Sequence, residues 1–423
     1  MDTIFALSSG SPPAGIAVVR ISGTGAREAL TALAGRLPKA RRATAAVLRD
    51  GGGGELDRSL ILWLPGPGTA TGEDTAELHL HGGRAVVAAV ETALGVMPGL
   101  RKAEPGEFTR RAFANGRIDL AEAEGLGDLL SAETELQRRS AMAMAGGAFS
   151  RTLDDWRGRV LGLSARVEAA LDFDDEDDVD ALPAGLDGEF RALTLEIGGW
   201  LERPRAEPLR EGFRVALGGP PNSGKSSLFN ALLEDEAAIV SANPGTTRDV
   251  LERSVAIGGV PFSLVDTAGL RGDATDAVEM TGIERAQTQF DRADLVLWLG
   301  EEGAGPPGAW EIETKSDLWG GSKAGARWSV SSVTGEGVDG LKRALVNEAL
   351  KRLPRPGDAA LNARQHALLA DAFAALESVD LSRDLLIVGE ALRSARVAFD
   401  RFSGRASTED MLDALFGRFC IGK

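Results

Sequence analysis

Gly219-Pro-Pro-Asn-Ser-Gly-Lys-Ser226 follows a short apolar run at 214–217 and precedes Ser227-Leu-Phe-Asn-Ala-Leu-Leu233. This is G-x-x-x-x-G-K-S between a strand pattern and a helix pattern, the context that a phosphate-cradling loop requires. Glycine lets backbone amides turn inward around phosphate oxygens, and the helix N-terminus adds a favourable dipole. Lys225 is placed to reach the β- and γ-phosphates, and Ser226 to ligate Mg²⁺. Asn222, Ser223, Gly224 and Ser227 complete the loop's contacts to the nucleotide.

Working outward, Asp266-Thr-Ala-Gly269 ends a second apolar run at 262–265. A carboxylate there holds the magnesium shell, Thr267 and Ala268 continue the turn, and the Gly269 amide senses the γ-phosphate. Between the two motifs lies Gly245-Thr-Thr-Arg-Asp249, where Thr247 is the natural second Mg²⁺ ligand from a switch loop. Base recognition falls to Thr314-Lys315-Ser-Asp317 and to Ser331-Ser332. The Asp317 carboxylate accepts from guanine N1 and N2, donors that adenine lacks, so the nucleotide expected is GTP. The usual first letter of this motif is Asn; Thr314 removes one amide contact to the base.

Two features bear on mechanism. Leu270 follows Gly269 where many GTPases carry a water-orienting Gln, so the attacking water needs another group. Residues 300–313 separate the apolar run 295–299 from Thr314, and their Gly and Pro content disfavours a helix. A loop is expected on this flank of the sheet.

Around this α/β unit the texture changes. Residues 1–117 mix strand patterns, at 16–21 and 59–64, with a helical pattern at 83–94, and read as a small α+β domain. Residues 118–210 and 349–423 carry apolar residues at helical spacing, as in Leu153, Trp156, Val160, Leu163 and Val167. The doubly wound unit, 211–348, is therefore expected to be inserted into a helical domain, with its two ends close together. The acidic run 172–180 reads as a solvated loop or helix end.

Composition sets limits. The chain has 423 residues, 43% of them apolar, and a net charge of −16. Such a balance excludes a generally basic, nucleic-acid-coating surface. An RNA partner would be met by local pairs such as Arg101/Lys102, Arg110/Arg111 or Arg138/Arg139, if these are not simply solvated helix surface. A single cysteine, Cys420, excludes an intrachain disulfide and fits a reducing compartment. The opening MDTIFALSSGSPP does not read as a signal peptide, and no segment approaches the ~20 apolar residues that span a bilayer. The expectation is a soluble, cytoplasmic protein without a membrane partner. His79, His81 and His366 do not form a metal-ligand pattern.

Taken with Val18-Val-Arg20-Ile-Ser-Gly23, Thr71-Gly-Glu-Asp74, Glu77, His81-Gly-Gly83, Pro105-Gly-Glu-Phe108, Ala112-Phe113 and the ending Phe419-Cys-Ile-Gly-Lys423, these motifs resemble the tRNA-modification GTPase family MnmE, also called TrmE. The resemblance spans essentially the whole chain. It implies three domains: an N-terminal tetrahydrofolate-binding domain that forms the homodimer, a helical-bundle domain, and the inserted GTPase domain. It also implies an FAD-containing partner, MnmG, and a carboxymethylaminomethyl-type group installed at C5 of the wobble uridine of tRNA. The one-carbon unit would come from a 5-formyl- or 5,10-methylene-tetrahydrofolate. Arg20, Glu77 and Lys423 match folate-holding positions; at the fourth, often Lys, this chain has Arg117, which keeps charge but not shape. Family hydrolysis is helped by K⁺, for which Asn222, Ser241, Asn243 and Thr246 match the ligands. Glu279 matches the catalytic glutamate that orients water through a second solvent molecule, although this chain has one residue more than usual between Gly269 and Glu279. Cys420, beside a one-carbon carrier, is a candidate nucleophile or acid, against the bland reading of an inert thiol.

Two rival readings stand beside this one: a ribosome-assembly GTPase, which would call for a basic RNA-binding module, and a folate-dependent one-carbon transferase with a vestigial GTPase domain.

Overall fold

The computed structural model describes residues 2–172, 185–233, 237–238, 251–267, 287–318, 323–380, 384–406 and 408–422. Of the residues singled out above, 173–180 of the acidic run, Ser241, Asn243, the switch motif 245–249 with Thr246 and Thr247, Ala268, Gly269, Leu270, Glu279 and Lys423 lie outside the described residues. The chain divides into two units, residues 1–127 with 399–423, and residues 128–398.

In the first unit, β1 (Thr3–Leu7), β2 (Ala14–Ser22), β3 (Thr44–Arg49), β4 (Glu55–Leu64), β5 (Thr75–Gly82) and β6 (Leu100–Lys102) form one sheet in the order β3-β4-β5-β2-β1-β6. All neighbours are antiparallel except β1 and β6. The period of 2 sorts the side chains. Ala17, Val19 and Ile21 of β2 and Ala76, Leu78 and Leu80 of β5 enter one core, which the helices Ala26–Ala34 and Arg84–Gly95 cover through Leu30, Leu33, Val90 and Leu94. The alternate residues, Arg20, Glu77 and His79, therefore point to the opposite face.

The end of the chain belongs to this unit. Phe416, which ends the helix Glu409–Phe416, packs with Phe419 and Ala123, and its ring lies 6.0 Å from that of Phe113. Ile421 forms a β-bridge with Pro105, and the Gly106 amide donates to the Cys420 carbonyl at 3.4 Å. Two glycines permit this approach: a Cβ on Gly106 would collide with the Phe416 carbonyl oxygen, and one on Gly422 with that of Leu7. A buried ionic cluster stiffens the same region. Arg111, 8% exposed, donates to Asp2, Glu73 and Glu107. Burial alone would raise the Glu107 carboxyl, but hydrogen bonds from Arg101, the Glu104 amide and Arg111 hold it below the ordinary carboxylate range.

In the second unit, β7 (Phe213–Gly218), β8 (Ala237–Ala238), β9 (Leu251–Ile257), β10 (Val260–Asp266), β11 (Leu295–Trp298), β12 (Trp310–Thr314) and β13 (Trp328–Val330) form a sheet in the order β13-β12-β11-β7-β10-β9-β8. β7 lies parallel to both β10 and β11, and every residue of β10 is buried, as expected of a strand covered on both faces. The chain reaches and leaves the sheet side by side: the Ala206 amide donates to the Leu361 carbonyl at 3.0 Å, and the Ala363 amide to Glu207 at 2.6 Å. Within the same unit, Phe149, Trp156 and Trp200 pack edge to face, and the Trp156 indole donates to Glu196 at 3.1 Å. No helix among the described residues is long and apolar enough to cross a membrane.

Gly106 has φ +69°, a region unfavourable to L side chains. Gly106→Ala should therefore destabilise the first unit by about 1–3 kcal/mol and loosen the Phe416–Ile421 segment. Chemical denaturation and hydrogen exchange of that segment measure both; unchanged stability and protection would show that the close approach is not needed.

Candidate functional site

The nucleotide loop grows out of the carboxyl end of β7, between β10 and β11, where open parallel sheets place ligands. Pro220 and Pro221 carry no N–H, so donors for an anion come from Asn222 onward and from the first turn of the helix Lys225–Leu233, whose amides have no carbonyl within the helix. Gly219, Asn222 and Gly224 have φ +145°, +60° and +93°, which turn the chain into a cup. Asn222 is a non-glycine residue in the left-handed region, a local strain typical of ligand clamps. The Lys225 side chain is folded back on this cup. Its ammonium donates to the carbonyls of Gly219 at 2.9 Å and Pro220 at 2.7 Å, and the residue is 6% exposed. The Ser223 hydroxyl is buried with no hydrogen-bond partner among the described residues, and Ser227 is exposed on the helix.

Asp266 stands beside the loop because β10 pairs in register with β7, Asp266 opposite Leu217. The Ser226 hydroxyl donates to Asp266 at 2.8 Å, and the Thr267 hydroxyl to the Leu217 carbonyl at 2.6 Å. A hydroxyl and a carboxylate at that separation are hard oxygen donors of the kind Mg²⁺ takes. The residues present thus fit a magnesium-bound phosphate.

Thr314 has a definite partner. Its hydroxyl donates to the Ser223 carbonyl at 2.6 Å, and the Lys315 ammonium to the Asn222 carbonyl at 2.9 Å. The base motif is therefore tied directly to the phosphate loop, and the threonine makes the tie with a hydroxyl. Asp317 is exposed. Ser331 is fully buried and its hydroxyl oxygen accepts from the amides of Val333 and Thr334, shaping its own turn, while Ser332 is half-buried.

The flank between β11 and β12 is a series of turns, as its glycines and prolines suggested. Two residues not singled out from sequence fill it. Trp298 lies across Gly300 and Gly305, and its indole donates to the Glu301 carbonyl at 2.9 Å. The Lys323 ammonium collects the carbonyls of Trp298 and Gly300, each at 3.1 Å, and pairs with Glu311. This cation braces the strand ends that lead into the base motif.

In the first unit, Arg20 and Glu77 are cross-strand neighbours in β2 and β5. The guanidinium donates to Glu77 at 3.1 and 3.2 Å and lies 5.8 Å from the centre of the Phe108 ring. His79, on the same strand face two residues on, reaches Glu77 at 3.2 Å; the period of 2 alone would have found it. Arg20 is also the register partner of Ala6 in β1, next to Leu7, against which Gly422 packs. Arg20, Glu77 and Gly422 thus share one neighbourhood. Arg117 is exposed, with its stem beside Gly72, and Cys420 is exposed. A carboxylate and a guanidinium on one half-buried face fit a heteroaromatic edge and an anionic tail.

The cationic pairs considered for RNA are not open. Arg101 pairs with Asp2 and Glu107, Lys102 with Glu91, and Arg110 with Glu409 and Asp413. Arg111 is held as described, and Arg138 and Arg139 both pair with Glu135.

Thr314→Val keeps the volume and removes the donor. It should weaken GTP binding about 2- to 10-fold, the worth of a net hydrogen bond of about 0.5–1.5 kcal/mol, while Thr314→Ser should bind as the parent does. Calorimetry with GTP and Mg²⁺ distinguishes the cases; equal affinity for the valine variant would remove the tie's importance.

Comparison with known proteins bears on the whole chain. Residues 3–117 match the model of the GTP-binding protein TrmE N-terminus, and residues 120–420 that of the MnmE helical domain. The tRNA modification GTPase MnmE of Erythrobacter litoralis is 63% identical over 424 residues, covering 100% of both chains. The protein of the same name from Novosphingobium aromaticivorans is 60% identical over 435 residues, again with 100% of both covered. Among solved structures, the G domain of the T. maritima FeoB iron transporter shares 28% identity, with 32% of this chain and 98% of that one covered and a TM-score of 0.23. With both family models matched and relatives of this identity aligned end to end, this chain belongs to the MnmE, or TrmE, family of GTP-hydrolysing enzymes.

Proposed function

We propose that this protein is a potassium-stimulated GTPase that acts on tRNA. With an FAD-containing, MnmG-type partner, it installs a carboxymethylaminomethyl-type group at C5 of the wobble uridine. The observation that carries the reading is the Ser226–Asp266 contact beside Lys225, at 2.8 Å, in a chain whose full-length relatives are named tRNA modification GTPases.

In this reading the amides from Asn222 to Ser227 grip the phosphates, and Lys225 leaves the carbonyls of Gly219 and Pro220 to hold the β- and γ-oxygens. Ser226, Thr247 and Asp266 would hold Mg²⁺, which when bound would neutralise charge on the phosphates. The Gly269 amide meets the γ-phosphate, and Asp317 reads guanine. Glu279 orients water through a second solvent molecule, a role Leu270 cannot take. Asn222, Ser241, Asn243 and Thr246 hold K⁺, which when bound supplies positive charge where an arginine finger acts in other GTPases. Arg20, Glu77, Arg117 and Lys423 hold the tetrahydrofolate derivative, the source of the one-carbon unit. Cys420 is a candidate for a direct part in that transfer. The four segments 1–117, 118–210, 211–348 and 349–423 serve as the folate and homodimer domain, the first helical part, the inserted GTPase domain and the second helical part. The protein works in the cytoplasm.

A vestigial GTPase domain fits poorly with the retained Lys225, Ser226 and Asp266 and with a base motif still bonded to the phosphate loop.

Hydrolysis should be faster in KCl than in NaCl at equal ionic strength, and Asn222→Ala should abolish the difference, with a loss of about 100-fold, the size associated with one transition-state contact. Equal rates in the two salts would remove the potassium role. Mass spectrometry of wobble uridines from cells lacking the gene should show the C5 group missing; its full retention would overturn the tRNA reading.

A further inference from the structure

In a chain of net charge −16, residues 36–49, RLPKARRATAAVLR, carry five cations and no carboxylate. Arg36, Lys39, Arg41, Arg42 and Arg49 are all exposed. Their engagement differs from that of the other basic pairs. Arg41 is spent on the carbonyls of Pro65 and Gly68, at 3.3 and 2.9 Å. Arg49 lies 3.9 Å from Glu55, which is already held by Arg58 at 2.7 Å. Arg36, Lys39 and Arg42 have no ion-pair partner among the described residues. The nearby carboxylates are committed: Asp50 accepts the amides of Gly52 and Gly54, and Asp57 accepts from the His81 amide and ring.

The segment leads into β3, an edge strand of its sheet, and borders a cleft of about 770 Å³ lined by Arg36, Arg49, Arg58, His81, Ile16 and Leu60, among others. Charges along an edge strand often serve only to prevent strand pairing. Here, however, Arg36, Lys39 and Arg42 precede the strand rather than lie along it, and β3 itself contributes only Arg49. Guanidinium groups held free on an otherwise acidic protein suit a polyanion that presents phosphates at intervals.

We propose that Arg36, Lys39 and Arg42, with the cleft that Arg36 lines, form a surface for the phosphodiester backbone of tRNA. The inference rests on the reading of tRNA as the substrate and adds where the chain grips it. Contacts of this kind position the RNA without reading its sequence, so the surface fits tRNAs that differ outside the anticodon.

The test uses the full-length protein and fluorescently labelled tRNA, with anisotropy titrations over a salt series. The variant is Arg36→Gln/Lys39→Gln/Arg42→Gln. Its tRNA dissociation constant should rise about tenfold or more near physiological salt. Its log–log salt slope should fall by about 2, because up to three phosphate contacts are removed at roughly 0.7–0.9 each. GTP hydrolysis should be unchanged. Arg36→Lys/Arg42→Lys should retain the affinity, and Arg138→Gln/Arg139→Gln, whose cations are already paired, should bind as the parent does. Parent-like affinity and slope in the triple variant would overturn the surface alone. A parent protein that takes up no tRNA would overturn the tRNA reading together with it.

Discussion

Asp266 meets Ser226 because β10 lies parallel to β7 with Asp266 opposite Leu217. That register is the constraint on which the nucleotide site depends. The carboxyl ends of two buried strands deliver the phosphate loop and a carboxylate to the same place, and the parallel β11 and β12 deliver the base motif from the other side. A one-residue slip would turn Asp266 to the opposite face and leave Ser226 without its partner. Core residues such as Val215, Leu217, Phe262 and Leu264, all fully buried, therefore hold the geometry of the site as well as the stability of the unit.

The same economy operates at the flank between β11 and β12. Turns take the place of a helix there, and Trp298 folds over two glycines while Lys323 gathers the carbonyls of Trp298 and Gly300. One indole and one ammonium thus substitute for an element of secondary structure. The hydroxyl of Thr314 likewise makes the tie from base motif to phosphate loop.

Much of this is legible in the sequence. The phosphate loop needs glycines, a lysine and a hydroxyl in fixed order, so local sequence reveals it, and short runs rich in Val, Ile and Leu disclose β2 and β4. Other features depend on tertiary neighbours. That Arg101, Arg110 and Arg138 are neutralised follows from carboxylates that are distant in sequence or one helical turn away, as Arg110 shows with Asp413. A charge count over short windows marks Arg36, Lys39 and Arg42, but that they have no ion-pair partner among the described residues depends on the fold. The partner of Thr314 could not be read, because Ser223 comes near it only through the sheet. His79 could have been, since it shares a strand face with Glu77.

The central claim is that the loop around Lys225 grips a guanine nucleotide with its metal, and titration calorimetry with GTP and Mg²⁺ tests it most directly. Lys225 now donates to two loop carbonyls; in the complex those donors go to phosphate oxygens, and charge-assisted bonds of about 1.5–3 kcal/mol each should be lost in Lys225→Ala. The account predicts one GTP bound per chain, no comparable uptake of ATP, and an affinity lowered at least about tenfold in the variant. Equal affinity of the parent and the variant for GTP, or no uptake by the parent, would contradict it.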